Sequence, residues 1–94
     1  MKDNKKAFKA VVHGRVQGVG FRYSTQSYAQ RIRLAGFVKN CYDGTVEVYA
    51  EGPEAQILQL KTWPKKGPPG AYVRECSIQD VPYQGLFSRF TIEY

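Results

Sequence analysis

Gly14-Arg15-Val16-Gln17-Gly18-Val19-Gly20-Phe21-Arg22 joins a strand-like run to a helix-like run through a glycine-rich loop and sets an arginine at the helix start. Such an arrangement gathers backbone N–H groups, the positive end of a helix dipole and a guanidinium around one anion. A phosphate suits that pocket better than a carboxylate, because it offers more oxygens to converging donors. Upstream, over residues 8–16, Phe8, Ala10, Val12 and Val16 share one face at period two, and Lys9, Val11, His13 and Arg15 take the other. That is a strand with one buried and one wetter side. Downstream, Phe21, Thr25, Tyr28, Ala29 and Ile32 recur at helical spacing, and Gly36 is expected to stop the helix as a left-handed terminal residue.

Two further strands, over 37–42 and 45–51, flank Asp43-Gly44, a strong hairpin signal. In the second, Val46, Val48 and Ala50 face one way and Glu47, Tyr49 and Glu51 the other. Gly52-Pro53-Glu54 reads as a helix start, with an early proline and an acid in the first turn. The second helix uses Ile57, Leu58 and Leu60, and Trp63-Pro64 must end or kink it. Residues 65–70 (Lys-Lys-Gly-Pro-Pro-Gly) form a loop, and strands over 71–81 and 87–94 complete the chain. Alternation slips between Val73 and Cys76, which predicts a bulge. The order β-α-β-β-α-β, with room for a further short final strand, predicts an α+β, ferredoxin-like split βαβ: an antiparallel or mixed sheet with both helices on one face. The strands on either side of the first helix are expected to pair as neighbours, which sets Asn40 beside the end of the first strand and the glycine loop.

Ninety-four residues make one domain, over 8–94 with a polar tail over 1–7, and 43% hydrophobic residues favour a packed core over disorder. Fourteen Lys+Arg against 8 Asp+Glu give +6, which suits anionic partners without choosing among nucleic acid, a membrane surface and a small phosphate. No apolar run approaches the roughly 18–20 residues of a membrane span, and the start lacks a signal-peptide core, so the chain is read as cytoplasmic. Cys41 and Cys76 are too few for a disulfide scaffold and read as two buried or half-buried thiols.

Catalytic chemistry narrows by elimination. The single histidine, His13, lies in a strand with no strained nucleophile turn nearby for a triad. One histidine, two distant cysteines and singly scattered carboxylates make no metal site. Asp43 is explained by its turn. The glycine loop is not a Walker loop, since no Lys-Ser or Lys-Thr follows, and a bulky Tyr23 stands where a dinucleotide fingerprint needs its third glycine. Glycines in such a loop can be turn formers only, but Arg22 in a helix first turn opposes the dipole unless an anion visits. An RNA-recognition domain shares the element order, yet needs stacking aromatics within a Lys/Arg-Gly-aromatic motif on the third strand. Here that strand reads Thr45-Val46-Glu47-Val48-Tyr49-Ala50-Glu51, with two acids on its open face.

The opening nonapeptide, followed by Gly36-Phe37-Val38-Lys39-Asn40 and Asp43-Gly44-Thr45-Val46-Glu47, resembles acylphosphatases. The likeness continues through Gly52-Pro53-Glu54, Lys66-Gly67-Pro68-Pro69-Gly70-Ala71 and Phe90-Thr91-Ile92, covering residues 8–94. The resemblance implies a ferredoxin-like hydrolase that cleaves the carboxyl–phosphate bond of small acyl phosphates to a carboxylate and inorganic phosphate. It implies no metal or organic cofactor, and no nucleic acid or membrane partner. The family's phosphate loop falls on Val16, Gln17, Gly18, Val19, Gly20 and Phe21, its essential arginine on Arg22, and the asparagine holding the attacking water on Asn40. Lys61 and Pro64 depart from the apolar residues usual in relatives, so the second helix is expected to end early, with Trp63 partly restoring the packing. A chain of this length, without the zinc-finger or transferase regions of larger maturation proteins, fits the free-standing enzyme, and nothing demands more than a monomer.

Overall fold

The computed structural model describes residues 4–93. Residues 1–3 of the expected tail and the last residue of the expected final strand lie outside them. In chain order the elements are β1 (Lys5–Arg15), α1 (Phe21–Arg31), β2 (Ala35–Asn40), β3 (Val46–Pro53), α2 (Glu54–Lys61), β4 (Tyr72–Val81) and β5 (Phe90–Glu93). Among the described residues the sheet runs β4-β1-β3-β2-β5. All its pairs are antiparallel except β2 with β5. This is the ferredoxin-like plan with the fifth, short strand added at one edge. β1 begins earlier than the sequence pattern implies: Lys5, Lys6 and Ala7 pair with Pro53, Gly52 and Glu51. Strand pairing needs only backbone groups, so exposed lysines do not prevent it, and Ala7 is buried.

Both helices cover one face of the sheet, and the register shows why. Phe8, Ala10 and Val12 of β1 pair with Ala50, Val48 and Val46 of β3. All six are fully buried, with Val38 of β2 beside Val48. Phe21 and Ala29 of α1 and Ile57 and Leu60 of α2 close over them in one apolar cluster. Leu58, expected inside, is 56% exposed. One helix step from Ile57 rotates it off the inward stripe, and an eight-residue helix has a single buried face. The bulge falls where alternation slips: His13 pairs with Glu75 but Gly14 with Val73.

Two local expectations are corrected. β1 and β2 are not neighbours, because β3 lies between them; a helix crossover leaves a strand-wide gap that the next strand of the hairpin fills. The left-handed residue ending α1 is Arg33 (φ 64°), not Gly36, which belongs to β2. Gly36 serves close approach instead: a Cβ there would stand 1.9 Å from the Tyr49 carbonyl oxygen.

α2 ends early, as expected, and Trp63 secures the segment beyond it. Its indole stacks on Tyr28 with centroids 5.2 Å apart. Its Nε1–H donates to the Thr25 hydroxyl at 2.7 Å, and Pro64 is buried beside it. Lys61 turns outward to an ion pair with Asp80 at 2.7 Å. Cys41 and Cys76 are free and half-buried. Three strand spacings, about 14 Å, separate their strands, beyond the reach of a disulfide. Burial pushes the Cys76 thiol pKa up.

The open face is not uniformly wet. Glu51 lies on it by register yet is 2% exposed, because residues 82–88 fold over it. Its Oε1 accepts from the Tyr49 hydroxyl at 2.9 Å and the Gly85 N–H at 3.2 Å, and Oε2 from the Phe87 N–H at 3.0 Å. Phe87 packs against Phe37 and Tyr49 at centroid distances of 5.8 and 5.4 Å. Burial, and then the bond to Glu51, push the Tyr49 phenol up to about 12. A raised phenol pKa favours the folded state below pH about 10, and that contribution disappears as pH climbs towards 12. Urea midpoints should therefore fall across that window, and less so in Tyr49→Phe. Glu51→Ala, which strips three donors of their acceptor, should cost about 1–3 kcal/mol in the same titration.

Candidate active site

β1 ends at Arg15, and the loop after it is built with its side chains inward. Val16 is buried and Val19 packs against the core. Gly18 and Gly20 adopt φ of 75° and 76°, the left-handed region in which a side chain is strained. Gly20 is the N-cap of α1, and its carbonyl accepts from the Ser24 N–H at 2.9 Å. No side chain caps this helix and no acid stands in its first turn. An α-helix offers no internal acceptor to its first-turn N–H groups. Phe21 anchors the start: it is 1% exposed and lies under Gly67 of the Lys-Lys-Gly-Pro-Pro-Gly loop.

Asn40 arrives from the other side of β3. It pairs with Val46, which pairs in turn with Val12. The row Val12–Val46–Asn40 thus runs along the helix-covered face, with a polar residue at its outer end. Asn40 Oδ1 is buried and has no hydrogen-bond partner among the described residues. A buried amide oxygen without a partner costs on the order of 1–3 kcal/mol, so its placement requires a reason.

A cavity of about 260 Å³ lies between these pieces, lined by Val16, Gly18, Gly20, Phe21, Arg22, Tyr23, Asn40 and Ile92. It has ample room for a phosphoryl group and a water, whose share of liquid volume is about 30 Å³. Arg22 enters from the second position of α1. Six of the eight residues singled out in the sequence therefore meet here. Val19 serves the core instead. The Gln17 side chain points elsewhere, donating from Nε2 to the Cys41 and Thr45 carbonyls, both at 2.9 Å. Tyr23 and Ile92 join the lining without a sequence motif to announce them. Tyr23 adjoins Arg22 in the chain, a usable signal, whereas Ile92 arrives only through the parallel pairing of β5 with β2.

His13 is not part of the lining, and no three His, Cys, Asp or Glu side chains gather as a metal site among the described residues. Asp43 acts in the turn: its Oδ1 accepts from the Thr45 hydroxyl at 2.6 Å and the Thr45 N–H at 3.0 Å. Those bonds hold its carboxyl below the usual range.

An acylphosphatase family model matches residues 8–92. The chain belongs to the acylphosphatase family. An acylphosphatase of Acaryochloris marina (strain MBIC 11017) is 46% identical over 92 residues, spanning 98% of each chain. The crystal structure of acylphosphatase from Bacillus subtilis superposes with a TM-score of 0.89 at 42% identity, over 95% of this chain and 99% of that one. The full-length HypF in its phosphate- and nucleotide-bound form also reaches 0.89, at 28% identity, with this whole chain matching 12% of it. The protein is thus an acylphosphatase in activity, a hydrolase of small acyl phosphates. No helix among the described residues is long and apolar enough to cross a membrane.

Two glycines test this local account. A Cβ at Gly20 would meet nothing within 4 Å, so Gly20→Ala should cost only backbone strain, about 1–2 kcal/mol by urea titration. Gly36→Ala, facing a carbonyl oxygen, should lose clearly more.

Proposed function

We propose that the enzyme hydrolyses acyl phosphates by in-line attack of a water held by Asn40 on a phosphoryl group held by Arg22 and the backbone amides of residues 16–21. The observation that carries this reading is that Asn40, whose buried Oδ1 has no hydrogen-bond partner among the described residues, lines the same cavity as Arg22. A water donating one hydrogen to that oxygen is fixed in place, with a lone pair free to point at phosphorus.

Phosphoryl transfer needs positioning and stabilisation of charge on the equatorial oxygens more than covalent help. The N–H groups of the loop and of the α1 first turn are preorganised donors, and Arg22 adds a planar pair of charged ones. The leaving group is a carboxylate whose conjugate acid has a pKa of about 4–5, by analogy with Asp and Glu, so it departs without a general acid. Neutral Asn40 is too weak a base to take the water's proton early. The proton passes late, to an oxygen of the transferring phosphoryl group.

Hydrolysis of benzoyl phosphate, with EDTA present, tests the assignment. Arg22→Gln should weaken inhibition by inorganic phosphate and lower turnover together. Asn40→Ala should leave phosphate inhibition close to the parent and lower kcat by about 10²–10³-fold, as loss of a preorganised group does. A near-parental kcat in Asn40→Ala would remove it from the mechanism. The kcat profile of the parent should show no enzyme group titrating near neutrality; a steep dependence there would count against proton transfer to the substrate.

A further inference from the structure

Gln17 stands between Val16 and Gly18, both of which line the cavity, yet its side chain leaves the loop and spans to the β2–β3 turn. The two carbonyls it reaches lie immediately beyond Asn40, on the turn side. Cys41 is the next residue along the chain, and Thr45 precedes Val46, the cross-strand partner of Asn40. The same Thr45 carbonyl accepts from the Cys41 N–H at 2.9 Å, and Asp43 fixes Thr45 from within the turn. Both N–H groups of the Gln17 amide are therefore committed. The reverse orientation would set its oxygen against two carbonyl oxygens, so the donor assignment follows from the partners.

We propose that Gln17 is a positioning residue for the hydrolysis: its side chain locks the phosphate loop to the strand end that carries Asn40 and so sets the distance from water to phosphorus. The loop follows β1 and Asn40 ends β2, strands that are separated by β3. Pairing fixes the register of those strands, but the loop beyond Arg15 is outside the ladder and needs its own tie. An error of about 1 Å between reacting groups costs on the order of 10²-fold in rate. A side chain that joins the two halves of a site thus acts on turnover while holding neither substrate nor water. This inference rests on the reading of Asn40 as the holder of water.

The test uses Gln17→Met, similar in length and without the amide donors, in the parent and in Asn40→Ala. In the parent it should lower kcat by about 10–100-fold, with the inhibition constant for inorganic phosphate within about threefold. In Asn40→Ala, where the water is already unheld, the same substitution should cost less than about threefold, the coupling expected of residues acting as a unit. An equal loss in both backgrounds, or a phosphate inhibition constant that weakens in step with kcat, would overturn the proposal. A near-parental kcat in Asn40→Ala alone would instead sink the reading of Asn40, so the two failures are distinguishable. Should Gln17→Met not fold, Gln17→Glu gives a second readout. Its carboxylate opposes the two carbonyls at neutral pH, and protonation returns one donor. Its kcat relative to the parent should rise as pH falls from 7 to 5, and a constant ratio would defeat the proposal.

Discussion

The placement of β3 between β1 and β2 is the constraint on which the rest of this molecule depends. Its core-facing residues, Val46, Val48 and Ala50, meet Val12, Ala10 and Phe8 on one side and Asn40, Val38 and Gly36 on the other. A slip of one residue would turn every one of these side chains to the opposite face, so burial of the aliphatic row fixes the register strongly. Asn40 inherits its orientation from that row. It is aimed into the helix-covered side because its neighbours at alternate positions must be. The turn reinforces the same register: the Gly44 N–H donates to the Cys41 carbonyl at 3.1 Å, and Asp43 holds Thr45. A polar group is thereby delivered to the end of an apolar layer, where the layer opens onto a cavity.

Much of this is legible in the residues, and some of it leaves no trace there. Strand and helix periods declare themselves because one face of each element is buried, and Asp43-Gly44 and Trp63-Pro64 punctuate them through turn and ring chemistry. The glycine loop with Arg22 is legible because its cost at a helix start asks for an anion. Sheet order is not, since pairing between distant strands leaves no local pattern. The adjacency expected of β1 and β2 therefore fails, although Asn40 still reaches the loop across β3. Gly36 looks like a helix stop because a glycine after an amphipathic run usually is one; its reason is the Tyr49 carbonyl, a contact 13 residues away in sequence. The burial of Glu51 depends on residues 82–88, which carry no period to betray that they fold back over the sheet.

The open face bears on partner choice. Phe37 and Tyr49 are the aromatic side chains that an RNA-binding sheet would present for stacking, and here Phe87 covers them. The three rings pack with one another on that face. The net charge of +6 is spread along the chain, whereas the left-handed glycines, Arg22 and Asn40 are concentrated around one cavity.

That concentration explains how so small a fold can carry such a site. Gly18 and Gly20 in the left-handed region, a helix start with no side-chain cap and an Asn40 oxygen with no partner among the described residues all lie around one cavity. Support comes from outside the cavity. Trp63 bonds to Thr25 and stacks on Tyr28 one and two turns along α1, and Gly67 closes over Phe21 at its first residue. Helix α1 is thus held along its length by the segment after α2. A helix fixed in this way keeps the Arg22 backbone in place beside the cavity, so the geometry of that wall is set by packing outside it.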